Sequence, residues 1–214
     1  MLLIVFVLIL VFAKVKEDEV TKREQHIVIA TLSVLLLFVG SLSLRIYSSE
    51  RQDVMMVYSL RNHTAVDCIS GKEHVLFADS TLMADNSTVD YSLTGGWAKM
   101  GLPMRPECID LHADFENAFV KKQANLLSYK GTLLAFWDEE RLSDSLSFRI
   151  PVDFMLVTGK QKPDVASLMR GYEVGKLLVD GSVPAYLAER WKQQADEVGL
   201  PIYCLSDGAL ELLN

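Results

Sequence analysis

Histidine is scarce and scattered in this chain of 214 residues. The four histidines are His26, His63, His74 and His112, and no two stand close enough to build a compact metal-binding loop. A zinc hydrolase of the ordinary kind draws several ligands from such a loop, so that class is excluded in its usual form. Cysteine is equally sparse. Cys68, Cys108 and Cys204 lie far apart, form no CxxC and are odd in number. They give no disulfide framework and no zinc knuckle, and read as small buried hydrophobes. Positive charge is in deficit. The net charge is −7, and from Asp53 onward 15 Lys and Arg face 23 Asp and Glu. A surface of that sign repels phosphate, so bulk electrostatics cannot be the main grip on nucleic acid. There is no internal repeat and no low-complexity tract.

Long apolar runs are what the chain does have. "MLLIVFVLILVFA" covers 1–13 and "IVIATLSVLLLFVGSLSL" covers 27–44. The second is uncharged and, extended to Tyr47, is long enough for the roughly 30 Å hydrocarbon layer. A transmembrane helix over 27–47 is therefore expected. The first block is too short to span alone, and has neither the basic start nor the cleavage site of a signal peptide. It reads as the end of a membrane helix, within a larger polytopic protein. Lys14, Lys16, Lys22 and Arg23 lie between the blocks, against Arg45, Arg51 and Arg61 after them. The positive-inside rule then places the connecting loop in the cytoplasm and the domain from residue 53 outside the plasma membrane. Residues 1–52 are thus the membrane part and 53–214 a soluble domain, with membrane lipid as an expected partner.

The soluble part opens as a meander, with strands over 53–60, 64–70 and 75–79 and a tight turn at Gly71. A fourth strand is expected over 87–93, a loop over 95–106, and strands over 107–112, 125–131 and 132–137. "VDFMLVTG" (152–159) reads as a buried strand, 164–172 as a short helix capped by Asp164, and "KLLVD" (176–180) as another strand. In the next helix Ser182 or Val183 is the cap and Pro184 lies in the first turn. Leu187, Trp191, Ala195 and Val198 form its apolar stripe. Gly199 stops it and Pro201 prevents its return. Strands over 202–205 and 209–213 close around Asp207-Gly208. Early meander strands followed by strands alternating with helices give an α/β sandwich on mixed sheets.

Three stretches carry a family resemblance: "VMMVYSLRNHTAVDCISGKEHVLFAD" (54–79), "FMLVTG" (154–159) and "KLLVDGSVPAYLAERWKQQADEVGLPIYCLSDGAL" (176–210). Together with the preceding membrane block they resemble the carboxyl end of ComEC-type competence proteins, most closely the Bacteroidetes branch. Residues 85–145 match poorly. The resemblance implies a metallo-β-lactamase-like αββα sandwich behind one or two membrane segments. It also implies a place in a channel that carries DNA across the inner membrane. The partners implied are an upstream membrane channel domain, on this chain or an adjacent one, and single-stranded DNA passing through the complete channel. Catalytic members of that fold carry an HxHxDH loop, a paired His-His after a later strand and a further His. Here the second place reads Thr158-Gly159-Lys160 and the third reads "DGSVPAY". The resemblance therefore brings a fold and a context without the metal ligands, and no metal or other cofactor is expected.

The remaining candidates for chemistry are few. Asp79 and Asp180 each end an expected strand, where a carboxylate can be catalytic and a capping Asp is commoner. His63 reads as a surface-turn histidine, Ser182 as a helix cap outside any G-x-S-x-G elbow, and Trp191 as core. Lys121, Lys122, Lys160 and Lys162 are the basic clusters that could touch DNA phosphate. Three functions stay open: a structural module of a DNA-uptake channel, a phosphodiesterase with an atypical carboxylate metal site, and an unrelated membrane-anchored binding domain.

Overall fold

The computed structural model describes residues 22–60, 63–137, 149–159, 165–205 and 209–212. The apolar block 1–13, the Asp164 cap and the Asp207-Gly208 turn lie outside the described residues. Two compact units are present, Met1–Ser48 and Ser49–Asn214.

The first unit is described by one helix, α1 (Lys22–Ser49), of 28 residues. At 1.5 Å per residue it is about 42 Å long. Its hydroxyls are satisfied internally: Ser33 bonds the carbonyl of Ile29 and Ser43 that of Val39. Leu37 and Leu44 are 71% exposed. Among the described residues, however, no helix is long and apolar enough to cross a membrane. The side chains of Ile27 and Val28 are not described, which leaves the described apolar run at 29–44. The expected helix over 27–47 therefore forms, while its membrane role is not established by the structure.

The second unit is a sandwich of two mixed sheets. In the first, β1 (Asp53–Leu60), β2 (His63–Ser70) and β3 (Glu73–Ala78) form the expected meander. Strand order is β12-β1-β2-β3-β4, with β4 at Glu107–Asp110 and β12 at Ala209–Glu211. Only β3 and β4 run parallel. The second sheet has the order β11-β10-β9-β8-β7-β6-β5. Its antiparallel half is β5 (Phe115–Glu116), β6 (Val120–Gln123), β7 (Leu126–Tyr129) and β8 (Thr132–Phe136). The parallel half continues from β8 through β9 (Ile150–Val157) and β10 (Tyr172–Val179) to β11 (Ile202–Cys204).

Alternation along each strand creates the layers. Met55, Val57, Val75 and Phe77 meet Leu127, Tyr129, Leu156 and Leu178 between the sheets. Met155, Val157, Leu177 and Val179 point the other way, onto α5 (Val165–Gly171) and α6 (Ala185–Val198). Tyr58, Ala65, Leu76 and Ala78 face Leu82, Leu93 and Trp97 of the 80–100 segment. Strands covered on both faces must be apolar on both, which is why "FMLV" and "KLLV" show no alternation. The order of layers is helices, sheet, sheet, helices.

The 80–100 segment departs from expectation. Residues 87–93 are not a strand and 95–106 is not all loop. Three short helices fill the region: α2 (Ser80–Ala84), α3 (Asn86–Ser92) and α4 (Thr94–Met100). Asp79 caps α2 through the amide of Leu82, and Asp85 caps α3 through that of Thr88. Two N-caps and the i, i+4 pair Leu93 and Trp97 outweigh the β-propensity of Val89 and Tyr91. Strands β5 and β6 were not expected at all.

Three smaller corrections concern packing. Helix α6 begins after Pro184 at the N-cap, with no side-chain cap bond, rather than at Ser182 or Val183. Leu187, Trp191 and Ala195 are buried as expected, but Val198 is exposed in the last turn before Gly199, whose φ is +70°. Of the cysteines only Cys68 is buried, and Cys108 is exposed. The chain enters the sandwich at Gln52. Its side-chain amide donates to the carbonyls of Gly71 (2.9 Å) and Met100 (3.2 Å), and its own carbonyl accepts from the Gly71 amide at 2.7 Å.

Candidate functional site

Strands from both sheets end together at one edge of the sandwich. Asp79 follows β3, Asp180 follows β10, and Thr64 lies at the start of β2. Thr64 joins the two carboxylates: its amide donates to Asp79 Oδ2 at 2.9 Å and its hydroxyl to Asp180 Oδ2 at 2.7 Å. Asp79 and Asp180 are only 5% and 3% exposed. The two residues singled out from sequence are therefore neighbours. Thr64, which links them, was missed, because a threonine opening a strand carries no signal of its own.

Every oxygen of the pair is engaged. Asp79 Oδ1 accepts from the Leu82 amide at 2.8 Å, from the Thr81 hydroxyl and from His63 Nδ1 at 3.2 Å. Asp180 Oδ1 accepts from the amide and hydroxyl of Ser182. Burial alone pushes the Asp79 carboxyl up, but its bonds to Thr81, Thr64, Leu82 and His63 win and hold it at about 2. At Asp180 burial wins over the donors from Ser182, Thr64 and Gly159, and its pKa is raised.

The loop after β10 is filled by protein atoms. A Cβ on Gly181 would stand 2.3 Å from the Ser59 hydroxyl, and one on Gly159 would stand 2.4 Å from the Ser182 carbonyl oxygen. Ser182 does not cap α6. Its hydroxyl donates to Asp180 and accepts from the Gly159 amide at 2.8 Å. The Asp180-Gly181-Ser182 turn is thus pinned to Gly159, just past β9, and faces Ser59, which itself bonds the Leu205 carbonyl. Among the described residues no group of three or more His, Cys, Asp or Glu could hold a metal ion.

The other candidates separate. His63 is no open-turn histidine: it starts β2, is paired with Asp79, and its side chain is 18% exposed. Lys121 is exposed and paired with Glu116 at 2.8 Å. Lys122 is 1% exposed, with Nζ bonded to the carbonyls of Ala113 (3.2 Å) and Ala124 (2.7 Å). It cannot reach a DNA phosphate. The strand alternation that exposes Lys121 buries its neighbour, so the pair is not one basic face. Lys160 and Lys162 lie outside the described residues. Trp191 is core.

A second polar cluster, not anticipated from sequence, lies on the outer face of the first sheet beneath α4. The buried Asp67 carboxylate accepts from Trp97 Nε1 (2.8 Å), His74 Nδ1 (3.1 Å) and the Tyr58 hydroxyl (3.3 Å). His74 Nε2 bonds the Pro103 carbonyl at 3.0 Å, and the His74 and Trp97 rings meet edge to face.

The ComEC C-terminal domain family model matches residues 55–213, from β1 through β12. No curated protein matches the chain.

Proposed function

Since the chain belongs to the ComEC C-terminal domain family, we propose that it is the membrane-anchored carboxyl part of a competence channel taking up DNA, with a sandwich that is structural rather than hydrolytic. One observation carries the second half. Both carboxylates at the strand ends are buried, and all four oxygens are taken by protein donors. A carboxylate that holds or activates water for phosphodiester cleavage must present an oxygen to it. The layer order supports a metallo-β-lactamase-like architecture, and the scattered histidines support a degenerate form of it, assigned to the Bacteroidetes type on the sequence resemblance alone. The uncharged apolar sequence 27–44 motivates an anchor over 27–47 in the plasma membrane, and the Lys and Arg excess before it motivates placing the sandwich on the outer side. The partners on this reading are lipid, the upstream channel domain, and single-stranded DNA in transit.

The test is incubation of the purified full chain with single- and double-stranded DNA and magnesium, manganese or zinc. The expected result is no cleavage, with weak binding abolished by moderate salt. A carboxylate nuclease is the second reading, favoured by the juxtaposition of Asp79 and Asp180 at Thr64. Metal-dependent cleavage lost in both Asp79→Ala and Asp180→Ala would establish it. The anchor is tested by carbonate extraction of membranes, where release of the full chain would remove it.

A further inference from the structure

We propose that His74 is a buried imidazolium that latches the α2–α4 layer onto the first sheet, and that loss of its proton releases the layer at the 102–106 loop. The reasoning starts from donors and acceptors. The Pro103 carbonyl can only accept, so Nε2 carries a proton. Asp67 already receives the indole N–H of Trp97, which can only donate, and the Tyr58 hydroxyl. A carboxylate drawing that many donors is the anion, and its third partner, Nδ1, then carries a proton too. Both ring nitrogens are donors, and the ring is charged.

The surroundings agree. Burial lowers the His74 pKa, but the bond to Asp67, the Asp67 charge and the Pro103 carbonyl reverse it, and the net shift is upward. From β1, burial and the Asp67 charge keep the Tyr58 hydroxyl protonated. Burial and the Asp67 charge likewise hold up the thiol of Cys68 in β2, and the more exposed thiol of Cys108 in β4 is shifted in the same direction. The remaining charges near the ring line a cleft of about 250 Å³ beside it: Lys72, Glu73, Arg105 and Glu107. They are two of each sign, so Asp67 decides the balance.

The three bonded elements belong to different parts of the unit. Asp67 is in β2, Trp97 in α4, and Pro103 in the loop leading towards β4. A neutral imidazole has one N–H and cannot hold both Asp67 and Pro103. The sign follows from linkage. A histidine whose pKa is raised on folding contributes stability fully present below its unfolded value of about 6.5, and lost as pH rises through the folded value. The latch therefore opens on the alkaline side.

The test uses the full chain in lipid nanodiscs. Long-range nitrogen–proton spectra of the histidine rings, with the His74 signal assigned by its absence in His74→Gln, should show both ring nitrogens protonated at pH 7.5. Amide protection over 94–106, corrected for intrinsic exchange, should then fall between pH 7 and 10. The expected fall is about tenfold more than over β8–β10, equivalent to one pKa unit of linkage. In His74→Gln, which keeps a donor but does not titrate, that excess should vanish. An unprotonated Nδ1 at pH 7.5 in the unaltered chain would overturn the proposal even if the variant does not fold. So would an alkaline loss of protection equal in both proteins.

Discussion

The two histidine–carboxylate pairs of the sandwich, His63–Asp79 and His74–Asp67, share their chemistry and differ in setting. Asp79 is held largely by the main chain, through the amides of Thr64 and Leu82, with a hydroxyl and a partly exposed imidazole added. Among the described residues, the partners of Asp67 are side chains, Trp97, Tyr58 and His74, all of them buried. A carboxylate solvated by backbone amides keeps its charge when one side-chain partner is removed. A carboxylate compensated by a single buried cation does not, because the partner left behind is an unpaired charge in a dry site. The difference predicts which pair is structural in the strict sense and which is expendable.

The largest effect should come from splitting the buried pair. Asp67→Ala should cost roughly 3–5 kcal/mol, read from denaturant midpoints of the full chain in detergent. His74→Ala should approach it. His63→Ala should cost no more than about 1 kcal/mol. Equal losses at His63 and His74 would erase the distinction between the pairs. Trp191→Ala provides the apolar yardstick. Deleting a buried indole should cost about 3–5 kcal/mol, against about 0.5 kcal/mol or less for exposed Lys192→Ala one step round α6.

Asp79→Ala comes next, at about 1–2 kcal/mol, because it removes the cap of α2. The pH profile sharpens the same contrast. Asp79 has a folded pKa of about 2, below its ordinary value. Its contribution is present above the unfolded pKa and is lost as pH falls from about 4 towards 2. His74 acts on the opposite flank. Thermal melts across pH should show an acid shoulder that Asp79→Ala removes and an alkaline shoulder that His74→Gln removes. A single shoulder abolished by either change would show that the clusters are coupled. The smallest effect is expected at Lys121→Ala, with stability changed by about 0.5 kcal/mol or less. DNA binding measured by anisotropy should also move little, since one paired surface lysine releases few counterions. A tenfold loss there would restore the β6 surface as a nucleic-acid contact.

Legibility in the sequence followed local physics. The β1–β3 meander, β9, β10 and α6 were readable because period-two alternation, continuous apolar runs and Pro184 with Gly199 are local signals. The three helices between β3 and β4 were not, because each is at most seven residues long, too short to show a helical period, and two of them start on an Asp cap. Asp79 and Asp180 were found as strand ends, but their meeting at Thr64 depends on two sheets facing each other. Lys121 and Lys122 looked like one cluster until strand register sent them to opposite sides. His74 and Asp67 looked ordinary, since nothing local marks a hairpin histidine as lying under an indole supplied from Trp97.

Gln52 also has a mechanical side. A pull on the segment before β1 meets the surface pair of Glu50 with Lys72 and then a two-point fastening, with the Gln52 side chain tied to Gly71 in the hairpin and to Met100 at the end of α4. Behind it β1 is matched to β2 along its whole length, Asp53 opposite Ser70 through Leu60 opposite His63, and to β12 on its other side. Force entering along such a strand loads a full row of hydrogen bonds in shear, so they must break together rather than peel one by one. The chain enters the sandwich along one of its most fully paired strands, and a tug on the preceding segment spreads over the first sheet instead of unzipping an edge.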